Sequence, residues 1–234
     1  MTRQLLKIQY LFHSGFRVEI GKYQLIFDYY QGPMNLANQS TLVFISHSHP
    51  DHFNPVVFQW QEKINDINYI LSDEIPINNQ EPNIHPVSPG EEIRIRDIEI
   101  KTYGSTDIGV SFLVRCAGVT LFHAGDLNWW HWWEDSPEEI IRAEELFKKE
   151  IARIKGEKID LAFFPVDPRL EKFYSLGADY FIKEVAPKVL IPMHFGKDTQ
   201  AARQYAANKT DSFTKIISLT KMGEEIQEEI IASS

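Results

Sequence analysis

At Ile45 the sequence changes character within a single residue. The apolar run Thr41-Leu42-Val43-Phe44-Ile45 reads as a buried strand, and Ser46-His47-Ser48-His49-Pro50-Asp51-His52 follows it without a spacer. Three of the eight histidines and one carboxylate fall within six positions at a strand end. A buried strand has no use for that composition, whereas neutral imidazole and carboxylate are the usual ligands of zinc and related divalent ions. Asn54-Pro55 then supplies a cap and a proline at the first helical position, which predicts a helix over 56–63.

Other apolar runs also end in a carboxylate or histidine. Gly15 to Ile20, the turn Gly21-Lys22 and Tyr23 to Phe27 read as a hairpin that ends at Asp28. Gly109 to Val114, the turn Ala117-Gly118 and Val119 to Phe122 read as a second hairpin running into Ala124-Gly125-Asp126. The shared layout is weak support for two halves built alike. A buried strand, Val189-Leu190-Ile191, leads into Pro192-Met193-His194-Phe195-Gly196.

Between these landmarks, strands are expected at 68–72, at 93–95 with 98–100, and at 159–164. The four prolines of 73–90 predict loop. Ser136-Pro137-Glu138-Glu139 is a capping box, and Ile140, Phe147, Ile151 and Ile154 keep a helical period up to Gly156. Further helices are expected near 178–185 and 199–208, then a last strand at 215–220 and a polar tail. Strand groups with helices in both halves predict an α/β or α+β fold.

Composition narrows the function. The chain has 234 residues, for which a single domain over 1–234 is the default, and 43% hydrophobic residues are enough for a sizeable core. A net charge of −9 argues against nucleic acid as a general partner. The single cysteine, Cys116, excludes an intramolecular disulfide and a Cys-rich metal site. Without a signal-like N-terminus or an apolar run long enough to span a bilayer, a cytoplasmic location is expected.

Strand-end loops can bring these distant residues together. His47 and His49, two apart in extended chain, share a face and could reach one ion; Asp51 and His52, past the turn, could address a second. Asp126 could bridge the two cations and His194 complete the second. Two ions roughly 3.5 to 4 Å apart acidify a shared water, which is the chemistry of a hydrolase.

His47-x-His49-x-Asp51-His52, with Gly125-Asp126 and Pro192-Met193-His194, resembles the metallo-β-lactamase superfamily, in the family's order and over nearly the whole chain. His123-Ala124-Gly125-Asp126 and Pro192 to Gly196 are similar to the branch of ascorbate-6-phosphate lactonase and its relatives. The resemblance implies a four-layer αβ/βα sandwich with two divalent ions on one edge, zinc or manganese before iron. It assigns His47 and His49 to the first ion, Asp51, His52 and His194 to the second, and Asp126 to the bridge. The family's further histidine for the first ion is missing, because the corresponding turn reads Gly104-Ser105-Thr106-Asp107-Ile108-Gly109. Asp107 is the favoured replacement, as a hard oxygen ligand that shifts preference from zinc toward manganese or iron. A water, His123 or His85 are the alternatives, as is a single-metal or degenerate site.

The implied activity is hydrolysis of an ester, lactone, amide or phosphodiester bond in a small molecule by a metal-bridging hydroxide, with Asp51 handling the proton. Trp129 and Trp130, in Trp129-Trp130-His131-Trp132-Trp133, are candidate pocket walls, with core packing or a homo-oligomer contact as the other use. Arg169 could bind an anionic substrate group. His13 could contact substrate or support the site, and Asp28 could orient a ligand histidine. Two competing classes are a di-iron oxidoreductase and a catalytically degenerate binding protein with a tryptophan-rich partner surface.

Overall fold

A computed structural model describes residues 3–36, 39–77, 81–209 and 213–231. The parts of the expected loop at 78–80 and of the tail at 232–234 lie outside them. The first half contributes β1 (Arg3–Phe12), β2 (Gly15–Ile20), β3 (Tyr23–Phe27), β4 (Ser40–Ile45), β5 (Ile67–Ser72) and β6 (Ile84–Val87). The second contributes β7 (Glu92–Ile95), β8 (Ile98–Gly104), β9 (Val110–Cys116), β10 (Val119–His123), β11 (Leu161–Pro165), β12 (Val189–Met193) and β13 (Lys215–Ile216), and β14 (Glu225–Ile231) closes the chain. Among the described residues they form two sheets, ordered β14-β1-β2-β3-β4-β5-β6 and β13-β12-β11-β10-β9-β8-β7.

The two sheets repeat one plan. β1, β2 and β3 pair antiparallel and continue in parallel through β4, β5 and β6; β8, β9 and β10 pair antiparallel and continue in parallel through β11, β12 and β13. β14 flanks β1 antiparallel as β7 flanks β8. The matching hairpins of the sequence are thus equivalent elements of two halves.

Side-chain alternation assembles the layers. In β4, Leu42 and Phe44 enter the core between the sheets, while Val43 and Ile45 face an outer cluster containing Val57 and Trp60. In β3, Leu25 and Phe27 point inward and Ile26 outward in the same way. On the second sheet the outer cover is helical. α1 (Pro137–Ile154) begins at the Ser136 capping box and buries Phe147, Ile151 and Ile154, and α2 (Leu176–Val185) and α3 (Thr199–Asn208) cover neighbouring strands. The result is the expected αβ/βα sandwich. Among the described residues no helix is long and apolar enough to cross a membrane.

Four elements differ from expectation. The helix expected at 56–63 is a 3-10 helix, Pro55–Glu62, capped by Asn54, whose Oδ1 accepts from the Val56 N–H. Its two buried residues, Val57 and Trp60, are three apart, and a three-residue turn stacks them over the sheet. The proline-rich loop contains β6, an edge strand that accommodates Pro86. The expected strand at 215–220 shortens to β13, and the polar tail supplies β14, whose Glu225 and Glu229 pair with Lys7 and Arg3 across the edge of β1. Charge on an edge strand blocks further strand addition, and makes the strand read as tail.

Candidate metal centre

The site lies where β4, β10 and β12 end on one edge of the sandwich. Two glycines allow the close approach. Gly109, at φ +77°, leaves no room for a side chain, since a Cβ would lie 2.0 Å from the Ser46 carbonyl oxygen; a Cβ on Gly125, at φ +53°, would lie 2.8 Å from Ser46 Cβ. β4 therefore delivers its histidine turn against both the 104–109 turn and the Asp126 loop. The turn itself closes on the His49 carbonyl, which accepts from the N–H groups of His52 and Phe53.

A buried carboxylate at each side sets the rings. Asp28 Oδ1 accepts from Ser46 N at 2.7 Å, and its Oδ2 accepts from Ser46 Oγ at 2.6 Å and from His52 Nδ1 at 2.8 Å. Because the Ser46 hydroxyl proton is committed to Asp28, the 2.9 Å contact between Ser46 Oγ and His47 Nδ1 is donated by the ring. Asp167 Oδ2 accepts from His194 Nδ1 at 2.9 Å. His47, His52 and His194 are thereby held as tautomers with Nε2 turned inward, the arrangement of metal-ligating histidines.

Asp126 receives all three. Its Oδ1 lies 3.1 Å from Nε2 of both His52 and His194, and its Oδ2 lies 3.4 Å from His47 Nε2. Burial alone would push this carboxyl up, but His194 and His52 outweigh burial and hold it well below the carboxylate range. For His52, burial works against the charged ring, yet Asp126 and Asp28 raise it to about 10. Against burial, Asp126 likewise raises His194, whereas burial lowers His47 to about 4 and also lowers His13.

The donor set fits a cation. Nε2 of His13, His47 and His52 and Oδ1 of Asp126 are buried without a hydrogen-bond partner among the described residues, which is costly unless something else satisfies them. Within the described residues, mutually close potential ligand atoms come from His47, His49 and Asp126 on one side, and from His13, Asp51, His52 and His194 on the other. Asp107 approaches only the first set, its Oδ2 lying 3.7 Å from His49 Nδ1.

The remaining residues divide. Trp130 enters the cleft: its Nε1 donates to the Asp126 carbonyl at 3.1 Å, and its ring meets His194 edge-on and stacks parallel on Trp132 at 5.8 Å. Trp129 does not; it is buried between Phe147 and Tyr180, under the Lys148 ammonium, and serves the core. Arg169 reaches the cleft over Trp132, but its Nε and Nη2 are bonded to Asp167. His123 stacks on Phe27 and bonds Ser14 O, and His85 bonds Asn68, so neither replaces the missing histidine. Sequence reasoning did not single out Asp167, although it is an acid closing the buried strand β11 in the manner of Asp28 after β3.

His49, Asp51, Thr106, Asp107, Asp126, Trp130, Trp132, Arg169 and His194 line a cleft of about 370 Å³. It is large enough for a small molecule.

The chain is similar to known proteins. Residues 7–131, more than half of the chain, match the family model of the beta-lactamase superfamily domain. A UPF0173 metal-dependent hydrolase of Alkaliphilus metalliredigens (strain QYMF) is 25% identical over 214 residues, covering 81% of this chain and 85% of that protein. Among solved structures, Igni18, a metallo hydrolase from the hyperthermophilic archaeon Ignicoccus hospitalis, superimposes with a TM-score of 0.69 at 17% identity, covering 96% of this chain and 98% of its own. The metallo-beta-lactamase fold protein YhfI from Bacillus subtilis does so with a TM-score of 0.63 at 13% identity, covering 96% and 100%. The chain belongs to the metallo-β-lactamase superfamily.

Proposed function

We propose that this metal-dependent hydrolase of the metallo-β-lactamase superfamily holds two divalent ions, zinc or manganese with iron as the third option. In this reading it cleaves an ester, lactone, amide or phosphodiester bond of a small molecule. The observation that carries it is the Asp126 carboxylate, whose two oxygens face different histidines. His47 and His49 would hold one ion, with Asp107 beside them, and Asp51, His52 and His194 would hold the other. Metal bound there would supply a water of lowered pKa and a polarised scissile bond.

The chain's own groups supply the rest. Asp51, half-exposed at the cleft mouth, can take the proton of the attacking water and return it to the leaving group. Asp28 and Asp167 keep the rings from turning. Trp130 and Trp132 offer a flat wall to the substrate. Arg169, anchored on one edge by Asp167, presents the guanidinium nitrogen Nη1 for an anionic substrate group. The tryptophan run is divided: Trp129 serves the core, Trp130 and Trp132 the cleft, and Trp133 is exposed.

The test is a panel of activated esters, lactones, amides and phosphodiesters, assayed before and after removal of metal by a chelator. Hydrolysis of at least one class should vanish with the metal, return on adding zinc or manganese, and be lost in Asp51→Ala. A panel without metal-dependent turnover, or full activity in Asp51→Ala, contradicts the reading.

A further inference from the structure

The nitrogen donors are distributed unevenly, and the imbalance centres on His13. Its ring is nine-tenths buried, and its Nε2 has no hydrogen-bond partner among the described residues, although it lies 3.4 Å from Asp51 Oδ2. The ring packs on His194 at 4.0 Å and sets its edge to His52 at 5.4 Å. One ligand atom each of His13, Asp51, His52 and His194 lie within 4.8 Å of one another.

The backbone is built to aim this ring. His13 sits at φ +57° in the tight turn between β1 and β2, with its N–H donating to Tyr10 Oη at 2.8 Å. Its carbonyl accepts from the His194 N–H at 3.1 Å, so the two residues hold one another. A histidine kept only for packing would turn a nitrogen to an acceptor, because an unpaired buried polar atom costs roughly 1–3 kcal/mol. Here the nitrogen points at three other potential ligands.

We propose that His13 is a protein ligand to the ion held by Asp51, His52 and His194. That ion then has three imidazoles and is bound first, while the ion at His47 and His49 is bound second and more weakly. The assignment rests on the two-ion reading above.

The test uses the full chain, stripped of metal and titrated with Zn²⁺ against a chromophoric chelator, with X-ray absorption at one equivalent. His13→Asn is the variant of choice, since asparagine tolerates positive φ and preserves the turn. Wild type should show three imidazoles around the first equivalent. His13→Asn should show two, and should weaken the first equivalent about tenfold or more with the second changed less than about twofold. Equal first-equivalent affinity in the two proteins, or an effect confined to the second equivalent, overturns the assignment while leaving the two-ion reading intact. Failure of wild type to take up about one equivalent overturns both. If the variant does not fold, the wild-type spectrum decides alone: two imidazoles instead of three refute the proposal.

Discussion

The two sides of the metal centre are built from the same histidine turn, yet their surroundings differ. His52 is fully buried and braced by Asp28, and His194 beside it is braced by Asp167. His49 is 44% exposed, and the carboxylate near it, Asp107, is 45% exposed. On one side His52 and His194 are fixed by buried charge-assisted hydrogen bonds and Asp51 is half-exposed; on the other the buried His47 is joined by His49 and Asp107, which water and salt can screen. In the two-ion reading, the contrast teaches that a shared carboxylate can join two sides whose rigidity differs.

The largest effect is expected where the contrast vanishes. Asp126 serves both sides, so Asp126→Ala should remove both ions, seen as metal content near zero. If the ions supply several kcal/mol of transition-state stabilisation, hydrolysis falls by about a thousandfold or more. Retention of either ion would break the bridge assignment. Next comes Asp28→Asn, which replaces the oxygen that accepts from His52 Nδ1 and Ser46 Oγ by an amide donor and should weaken zinc binding on the braced side by about 10- to 100-fold in a chelator-competition titration. Unchanged affinity would show that the brace is only structural. Asp107→Ala should act on the other side alone, lowering affinity for the second equivalent by about threefold, as expected of about 0.6 kcal/mol from an exposed carboxylate. An effect on the first equivalent would reverse the comparison.

The smallest effect is a control away from both sides. Glu157 accepts from Tyr103 Oη at 2.7 Å and pairs with Lys101 and Arg115. Burial raises its pKa, but the bonds from Tyr103 and Lys101 and the Arg115 charge outweigh burial and leave it lowered. A lowered carboxyl contributes stability that is present above its unfolded value of 4.5 and lost as pH falls through the lower folded value. Glu157→Gln should therefore lower Tm by about 2–4 °C at pH 7, with the gap closing in acid and metal content unchanged.

Much of this was legible in the sequence because it is local or sits at strand ends. His47 to His52 form one turn, and Asp126 and His194 each follow an apolar run that betrays its strand. Asp28 ends the β2–β3 hairpin in the same way and accepts from His52. His13 was harder to place, since only the fold brings the β1–β2 turn beside β12. Asp167 was masked by the helix-cap grammar of Asp167-Pro168, which it also obeys. No periodicity separates Trp129 from Trp130, since neighbouring residues in an irregular segment can face core and cleft by turns. β14 was hidden because an edge strand with one wet face and charged ends has the composition of a tail.

The central claim is two ions bridged by Asp126 and unequally held. Anomalous-scattering maps from crystals soaked in limiting and then excess Zn²⁺ test it most directly. Two peaks about 3.5–4 Å apart are expected, flanking Asp126, with the peak beside His52 and His194 filling before the peak beside His47 and His49. A single peak at saturation, or earlier filling beside His49, would contradict it.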